Sequence, residues 1–200
     1  MSFIVAMTGG IGSGKSTAAR LFQERGADLV DTDAIAHELT LVGRPALEQI
    51  VGRFGADYLA KDGGLDRGKL RRRVFSDPDA RHALEDILHP LIRREVEARV
   101  HALSAPYTLV LIPLLVETGG YRELARRVLV VDCDERLQLQ RAVQRGLTEE
   151  QVRAIIQVQA TRSQRLALAD DVIRNDGTLK ELACQVEVLD RRYRTLASAT

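Results

Sequence analysis

The chain of 200 residues has no tryptophan, two cysteines, five prolines and a formal net charge of only +1 at pH 7. Cys133 and Cys184 stand far apart in no C-x-x-C pattern, and His37, His82, His89 and His101 show no metal-ligand spacing with them. A reduced, cytoplasmic protein without structural zinc is the simplest reading and is expected. The balanced charge argues against a broad nucleic-acid or membrane footprint. Lysine is scarce: Lys15, Lys61, Lys69 and Lys180 are the whole complement, so nearly all positive charge is arginine. Long hydrophobic runs are missing too. Phe3 to Met7 is far too short for a signal h-region or a membrane span, and no basic region precedes it. There is no internal repeat and no low-complexity segment. What is present is ordinary for a soluble protein: 45% apolar and 28% charged residues. The length suits one α/β domain with insertions and a sizeable core.

Against that background one stretch is unusual. Met7 to Thr17 contains G-x-x-x-x-G-K-S, with Gly9 and Gly14 as its fixed glycines, followed by Lys15 and Ser16. This is a phosphate-binding loop. An apolar run, Phe3 to Met7, precedes it as a buried strand, and Ala18 to Phe22 follows it as a helix. The loop must curl round a polyphosphate with its backbone N–H groups inward, which glycine permits at least steric cost. The helix starting near Lys15 adds unpaired N–H groups and a positive dipole end. Lys15 brings a full charge to the β- and γ-phosphates, and the Ser16 hydroxyl suits Mg²⁺.

The first helix is expected from about Lys15 to Arg25, stopped by Gly26. Ala27 to Val30 reads as the second strand. It ends in Asp31-Thr32-Asp33, before a helix from Ala34 to Leu39. In open parallel sheets ligands sit beyond the carboxyl ends of the strands, so Asp31 and Asp33 are expected on the rim that carries the loop. Two carboxylates there suit Mg²⁺ or proton handling; Thr32 or Asp33 equally suits a helix cap. Leu47, Ile50, Val51 and Phe54 have helical spacing behind Pro45, and Asp62-Gly63-Gly64 is a turn. In Leu65 to Phe75, Leu70, Val74 and Phe75 make an apolar face; the Arg67–Arg73 basic groups are either solvated or meet an anionic substrate. Asp77-Pro78 is a helix start, and His89-Pro90 is expected to bend or restart the chain.

Tyr107 to Ile112 and Val128 to Asp132 read as buried strands of a two-sided sheet. Asp134 caps the next helix, which presents Arg141 and Arg145 on one face. Gly146 stops it, and Thr148 and Gln151 stand in capping-box register before a helix carrying Val152, Ile155, Ile156 and Gln159, then Arg162 and Arg165. Two helices joined by a tight turn and bearing arginines look like a lid that closes over a nucleotide. Asp170 to Asn175 is a short last strand, Asp176-Gly177 a turn, and Leu179 to Ala197 a closing amphipathic helix. Asn175 suits either a base edge or the turn.

Several segments together resemble the dephospho-CoA kinase family. They are Thr-Gly-Gly-Ile-Gly-Ser-Gly-Lys-Ser-Thr at 8–17, Asp-Thr-Asp at 31–33, Leu-x-x-x-Val-Phe at 70–75 and Leu-His-Pro-Leu-Ile at 88–92. Pro-Leu-Leu-Val-Glu at 113–117, Gln-x-x-Arg at 138–141, Leu-Thr-x-Glu-Gln at 147–151 and Ala-Asp-Asp-Val-Ile-x-Asn-x-Gly at 169–177 complete the set. The resemblance implies an α/β P-loop NTPase, a three-layer sandwich with a five-stranded parallel sheet, an inserted helical substrate domain and a helical lid. It divides the chain into a nucleotide-binding core at 1–56, 105–137 and 166–200, a substrate domain at 57–104 and a lid at 138–165. The implied reaction is ATP-dependent phosphorylation of the ribose 3′-hydroxyl of dephospho-CoA, with Mg²⁺, and no nucleic acid or membrane as partner. By the same resemblance Gly12, Ser13, Gly14, Lys15, Ser16 and Thr17 hold ATP phosphates, Ser16 ligates Mg²⁺, and Asn175 and Gly177 lie near adenine. Asp33, Lys15 and Arg141 are the implied catalytic groups, with Asp33 facing the 3′-hydroxyl and His89 in the substrate domain. Arg174 departs from the family, which often has Asp there. A monomer or weak homo-oligomer is expected. Another P-loop kinase of small alcohols or nucleoside monophosphates, and a non-catalytic nucleotide-binding module, are the alternatives.

Overall fold

A computed structural model describes residues 3–118 and 123–199. Its centre is a five-stranded sheet in the order β2-β3-β1-β4-β5, with every neighbouring pair parallel. The strands are β1 (Phe3–Thr8), β2 (Asp28–Asp31), β3 (Tyr107–Leu111), β4 (Arg127–Asp132) and β5 (Asp171–Arg174). Val5 pairs with Leu109 on one side and Arg127 on the other. The side chains of β3 are buried throughout, as expected of an apolar run in a sheet covered on both faces. From β1 the chain moves one way to β2 and later the other way to β4 and β5. That reversal opens a crevice at the carboxyl end of β1, where the glycine loop begins.

The chain divides into two compact units, one of residues 1–31 and 100–200, the other Thr32–Arg99. The first unit holds the sheet, α1 (Lys15–Gln23), the short α6 (Leu115–Thr118), α7 (Glu135–Gln144), α8 (Glu149–Val158), α9 (Arg162–Ala167) and α10 (Leu179–Ser198). The second holds α2 (Thr32–Leu39), α3 (Pro45–Phe54), a 3-10 turn (Ala56–Tyr58), α4 (Arg67–Ser76) and most of α5 (Pro78–Ala102). Among the described residues no helix is long and apolar enough to cross a membrane.

In the first unit α1 and α10 cover one face of the sheet. Phe22, Tyr107 and Tyr193 meet there; the Phe22 and Tyr193 rings stack at 6.1 Å, and Tyr107 meets Tyr193 edge-on at 5.4 Å. Each buried ring of this size contributes roughly 1.5–3 kcal/mol over an exposed one. Burial obliges the phenols to find partners. Tyr107 donates to Asp190 at 2.6 Å and Tyr193 to Asp171 at 3.1 Å. Arg127 and Arg192 also pair with Asp171, and Arg194 with Asp190. Burial raises the pKa of both phenols.

Four sequence expectations are corrected. α2 begins at Thr32 directly after β2, so Thr32 and Asp33 sit in its first turn and neither stands ahead of it as a cap. α5 runs unbroken through His89 and Pro90, although Pro90 offers no N–H to the carbonyl four residues back. Ile92, Val96 and Val100 continue a buried stripe at helical spacing beyond it, and that burial offsets the lost bond. Phe75 is 64% exposed, so only Leu70 is buried on the α4 face. The helix carrying Val152 ends at Val158; Arg162 and Arg165 belong to a separate α9, capped by Thr161 and Gln164.

In the second unit Arg67 donates to the His37 carbonyl at 3.0 Å and to the Thr40 hydroxyl at 2.5 Å, joining the start of α4 to the end of α2. Asp77 serves both its neighbours. It ends α4 and accepts from the N–H groups of Asp79 and Ala80 at the start of α5, and those bonds hold its carboxyl below the usual range.

Candidate active site

The loop between β1 and α1 is built for close approach. Gly12 and Gly14 have φ of +70° and +89°, which favours glycine. A Cβ on Gly12 would lie 2.4 Å from the Gln138 carbonyl oxygen, and one on Gly14 would lie 2.1 Å from Asn175 Nδ2. Neither position admits any other residue without the loop moving. Gly14 is the N-cap of α1 and gives no side-chain bond, so the first N–H groups of the helix are not capped by a side chain. Lys15 opens the helix, half-buried, and Ser16 beside it is exposed. Ser13 is 1% exposed, and among the described residues its hydroxyl is the one buried side-chain polar atom without a hydrogen-bond partner. An uncapped helix start, two left-handed glycines and an orphan hydroxyl fit a polyphosphate.

On the Gly14 flank lies a cavity of about 180 Å³, lined by Gly14, Thr17, Arg141, Asn175, Gly177 and Leu182. This brings Arg141, Asn175 and Gly177 together with the second half of the loop. Arg141 Nη1 donates to the Asn175 carbonyl at 2.9 Å and contacts Cys133 Sγ at 3.2 Å. Asn175 is 7% exposed, and its Nδ2 donates to the Ser13 carbonyl at 2.8 Å. One donor of the amide nitrogen therefore holds the loop. Cys133 is fully buried, which pushes its thiol up to about 11.

The other flank, Gly9 to Ile11, meets different groups. A Cβ on Gly10 would lie 2.9 Å from Arg165 Nη2, and the Ile11 N–H donates to Gln159 Oε1 at 3.2 Å. Arg165 is 9% exposed, and burial lowers its pKa. It donates through Nη1 to the Ala160 carbonyl. The Ala160 N–H in turn donates to Glu117 Oε1 at 2.6 Å. Arg162 grips Asp132 at the carboxyl end of β4 through two bonds, at 2.8 and 2.6 Å; that bonding raises its pKa.

Asp31 ends β2 at the carboxyl edge of the same sheet, level with Leu111 of β3. Asp33 follows in the first turn of α2, in the second unit, where α5 also carries the half-buried His89. Among the described residues no group of three or more His, Cys, Asp or Glu could hold a metal by itself. The donors present fit a divalent ion that arrives with phosphate oxygens and takes one protein hydroxyl, such as Ser16. The Gln159–Ile11 link and the Asp132–Arg162 pair went unread in the sequence. The signal was there: Thr161-x-x-Gln164 has the same register as Thr148-x-x-Gln151 and marks the break before α9.

A family model described as dephospho-CoA kinase matches residues 3–181. The dephospho-CoA kinase of Thiobacillus denitrificans is 56% identical over 197 residues, covering 98% of each chain. Among solved structures, a Thermus thermophilus protein matches with a TM-score of 0.83 at 32% identity, covering 96% of this chain and 97% of that one. The dephospho-CoA kinase of Campylobacter jejuni matches with a TM-score of 0.72 at 28% identity over 98% of both.

Proposed function

The chain belongs to the dephospho-CoA kinase family, and from that premise we propose that it transfers the γ-phosphoryl group of ATP to the 3′-hydroxyl of the dephospho-CoA ribose, giving coenzyme A and ADP. The observation that carries the reading is the family match across residues 3–181, together with a glycine loop whose cradle fits a polyphosphate. Gly12 to Thr17, with the Lys15 ammonium, hold the phosphates, and Arg141, Asn175 and Gly177 wall the nucleoside side. The proposed division of labour keeps the core for ATP, residues 57–104 with His89 for the acceptor, and 138–165 as the lid.

Ser16 is the proposed protein ligand of Mg²⁺. Bound with ATP, that ion supplies charge neutralisation at the β- and γ-oxygens. Asp33 is the proposed partner of the attacking hydroxyl; it follows the last residue of β2 by two positions in the sequence. A ribose hydroxyl is a far weaker acid than a carboxyl of ordinary pKa near 4. Asp33 therefore orients the hydroxyl and takes its proton late, which a loose phosphoryl-transfer transition state permits. Lys15 offsets charge gathering on the phosphate oxygens.

The test is mass spectrometry of the product formed from ATP with dephospho-CoA, AMP, CMP or shikimate as acceptor. Phosphorylated product from dephospho-CoA alone is expected. Product from another acceptor, or ATP binding with no product, overturns the reading.

A further inference from the structure

The glycine loop has two flanks, and each carries its own arginine. The Gly14 flank holds the 180 Å³ cavity, whose apolar Leu179 and Leu182 lie beside polar Asn175 and Gly177. A nucleoside seated there would send its phosphate chain along the loop. The chain's last phosphate then ends toward the opposite flank, Gly9 to Ile11.

Arg165 stands on that opposite flank. Its Nη2 lies so near Gly10 that a Cβ there would be 2.9 Å away. Among the described residues the one hydrogen bond of its guanidinium is to the Ala160 carbonyl, and no carboxylate forms an ion pair with it, although Glu117, Asp132 and Glu135 act on its charge from farther away. The carboxylate that might have done so, Asp132, is already held at both oxygens by Arg162. A buried guanidinium with no carboxylate in contact is costly. An arriving anion relieves that cost. Arg141 is placed otherwise: its Nη1 is engaged by the Asn175 carbonyl and Cys133 Sγ on the nucleoside flank.

We propose that Arg165, rather than Arg141, is the catalytic arginine that contacts the γ-phosphoryl group during transfer. The proposal rests on the kinase reading above. In the step, the bond from the γ-phosphorus to the β–γ bridging oxygen breaks, and ADP leaves with the electron pair. A bond from the same phosphorus to the ribose 3′-oxygen forms, and the hydroxyl proton passes to Asp33. Arg165 exchanges no proton; its planar fork offsets charge on the transferring oxygens, as arginines supplied in cis do in other phosphoryl-transfer enzymes.

The experiment compares the wild-type chain with Arg165→Met, Arg165→Lys and Arg141→Met, by calorimetric binding of ATP and of ADP and by steady-state kinetics. An arginine on the γ-phosphoryl separates ATP from ADP, which a purely structural arginine does not. Arg165→Met is expected to bind ADP within about twofold of wild type, ATP about tenfold more weakly, and to lose roughly 10³-fold in kcat. Arg141→Met is expected to weaken both nucleotides alike. Arg165→Lys keeps the charge without the fork and is expected to keep the fold while kcat stays at least about tenfold down. Equal loss of ATP and ADP binding in Arg165→Met, or near-normal kcat in Arg165→Lys, overturns the proposal. If Arg165→Met does not fold, the ATP-to-ADP affinity ratio and kcat of Arg165→Lys decide: both unchanged from wild type overturn it. A wild-type chain that fails to phosphorylate dephospho-CoA sinks the kinase reading instead, and the nucleotide-binding comparison still stands.

Discussion

Asn175 Nδ2 donates to the Ser13 carbonyl at 2.8 Å, tying the end of β5 to the middle of the glycine loop across 162 positions of sequence. The bond is buried, and its geometry leaves Gly14 no room for a Cβ. The loop's shape therefore depends on a strand laid down at the far end of the chain.

Replacing that donor with an acceptor tests the link. Asn175→Asp sets a carboxylate against a carbonyl oxygen, and a buried unsatisfied pair costs about 1–3 kcal/mol. ATP affinity measured by calorimetry is expected to fall by about tenfold or more. Affinity within twofold of wild type would show that the loop holds its shape without this bond.

Asp33→Asn keeps a side chain that can orient the ribose hydroxyl but removes the proton acceptor. Steady-state kinetics are expected to show kcat lowered by roughly 10²–10⁴ with a much smaller change in KM. A near-normal kcat contradicts the assigned role.

Asp171 anchors a different part of the molecule. It accepts from Arg127, Arg192 and Tyr193 and is 6% exposed. Asp171→Ala leaves the partly buried Arg127 and the buried Tyr193 hydroxyl beside a missing partner. A loss of about 3–5 kcal/mol in urea unfolding is expected, against near-zero for Arg153→Ala, whose exposed helix pair contributes little. A loss under 1 kcal/mol for Asp171→Ala would mean the cluster relaxes and finds water.

The two thiols should react differently. Cys184 is exposed, whereas burial pushes Cys133 up to about 11. At pH 8 about one Cys133 thiol in a thousand is ionised, and the thiolate is the reactive form. Peptide mapping after iodoacetamide treatment of the native protein is expected to find Cys184 modified and Cys133 intact, with both modified in urea. Raising the pH toward 11 should increase labelling of Cys133. Rapid native labelling of Cys133 at pH 8 would contradict its enclosure.

Much of this was legible in the residues because the signals are local. Apolar runs placed the first four strands, and Asp134, Thr148 and Gly146 marked helix ends where the structure has them. Pro90 misled, since a local helix breaker was outweighed by burial at Ile92, Val96 and Val100. Phe75 misled in the opposite sense: five positions from Leu70, it lies about 140° round the helix and is exposed. Periodicity reports which residues share a face, not whether a neighbour covers the whole of it.

The residues by themselves determined the glycine loop, the strand and helix around it, and the Asp134 and Thr148 caps, because those depend on backbone conformations and bonds spanning only a few positions. They did not determine which arginine serves which flank of the loop. Arg141, Arg162 and Arg165 look alike in sequence, and only tertiary structure sets one on Asn175, one on Asp132 and one beside Gly10. A guanidinium's partner is set by where distant carbonyls and carboxylates come to rest, and that is decided when the sheet and helices pack.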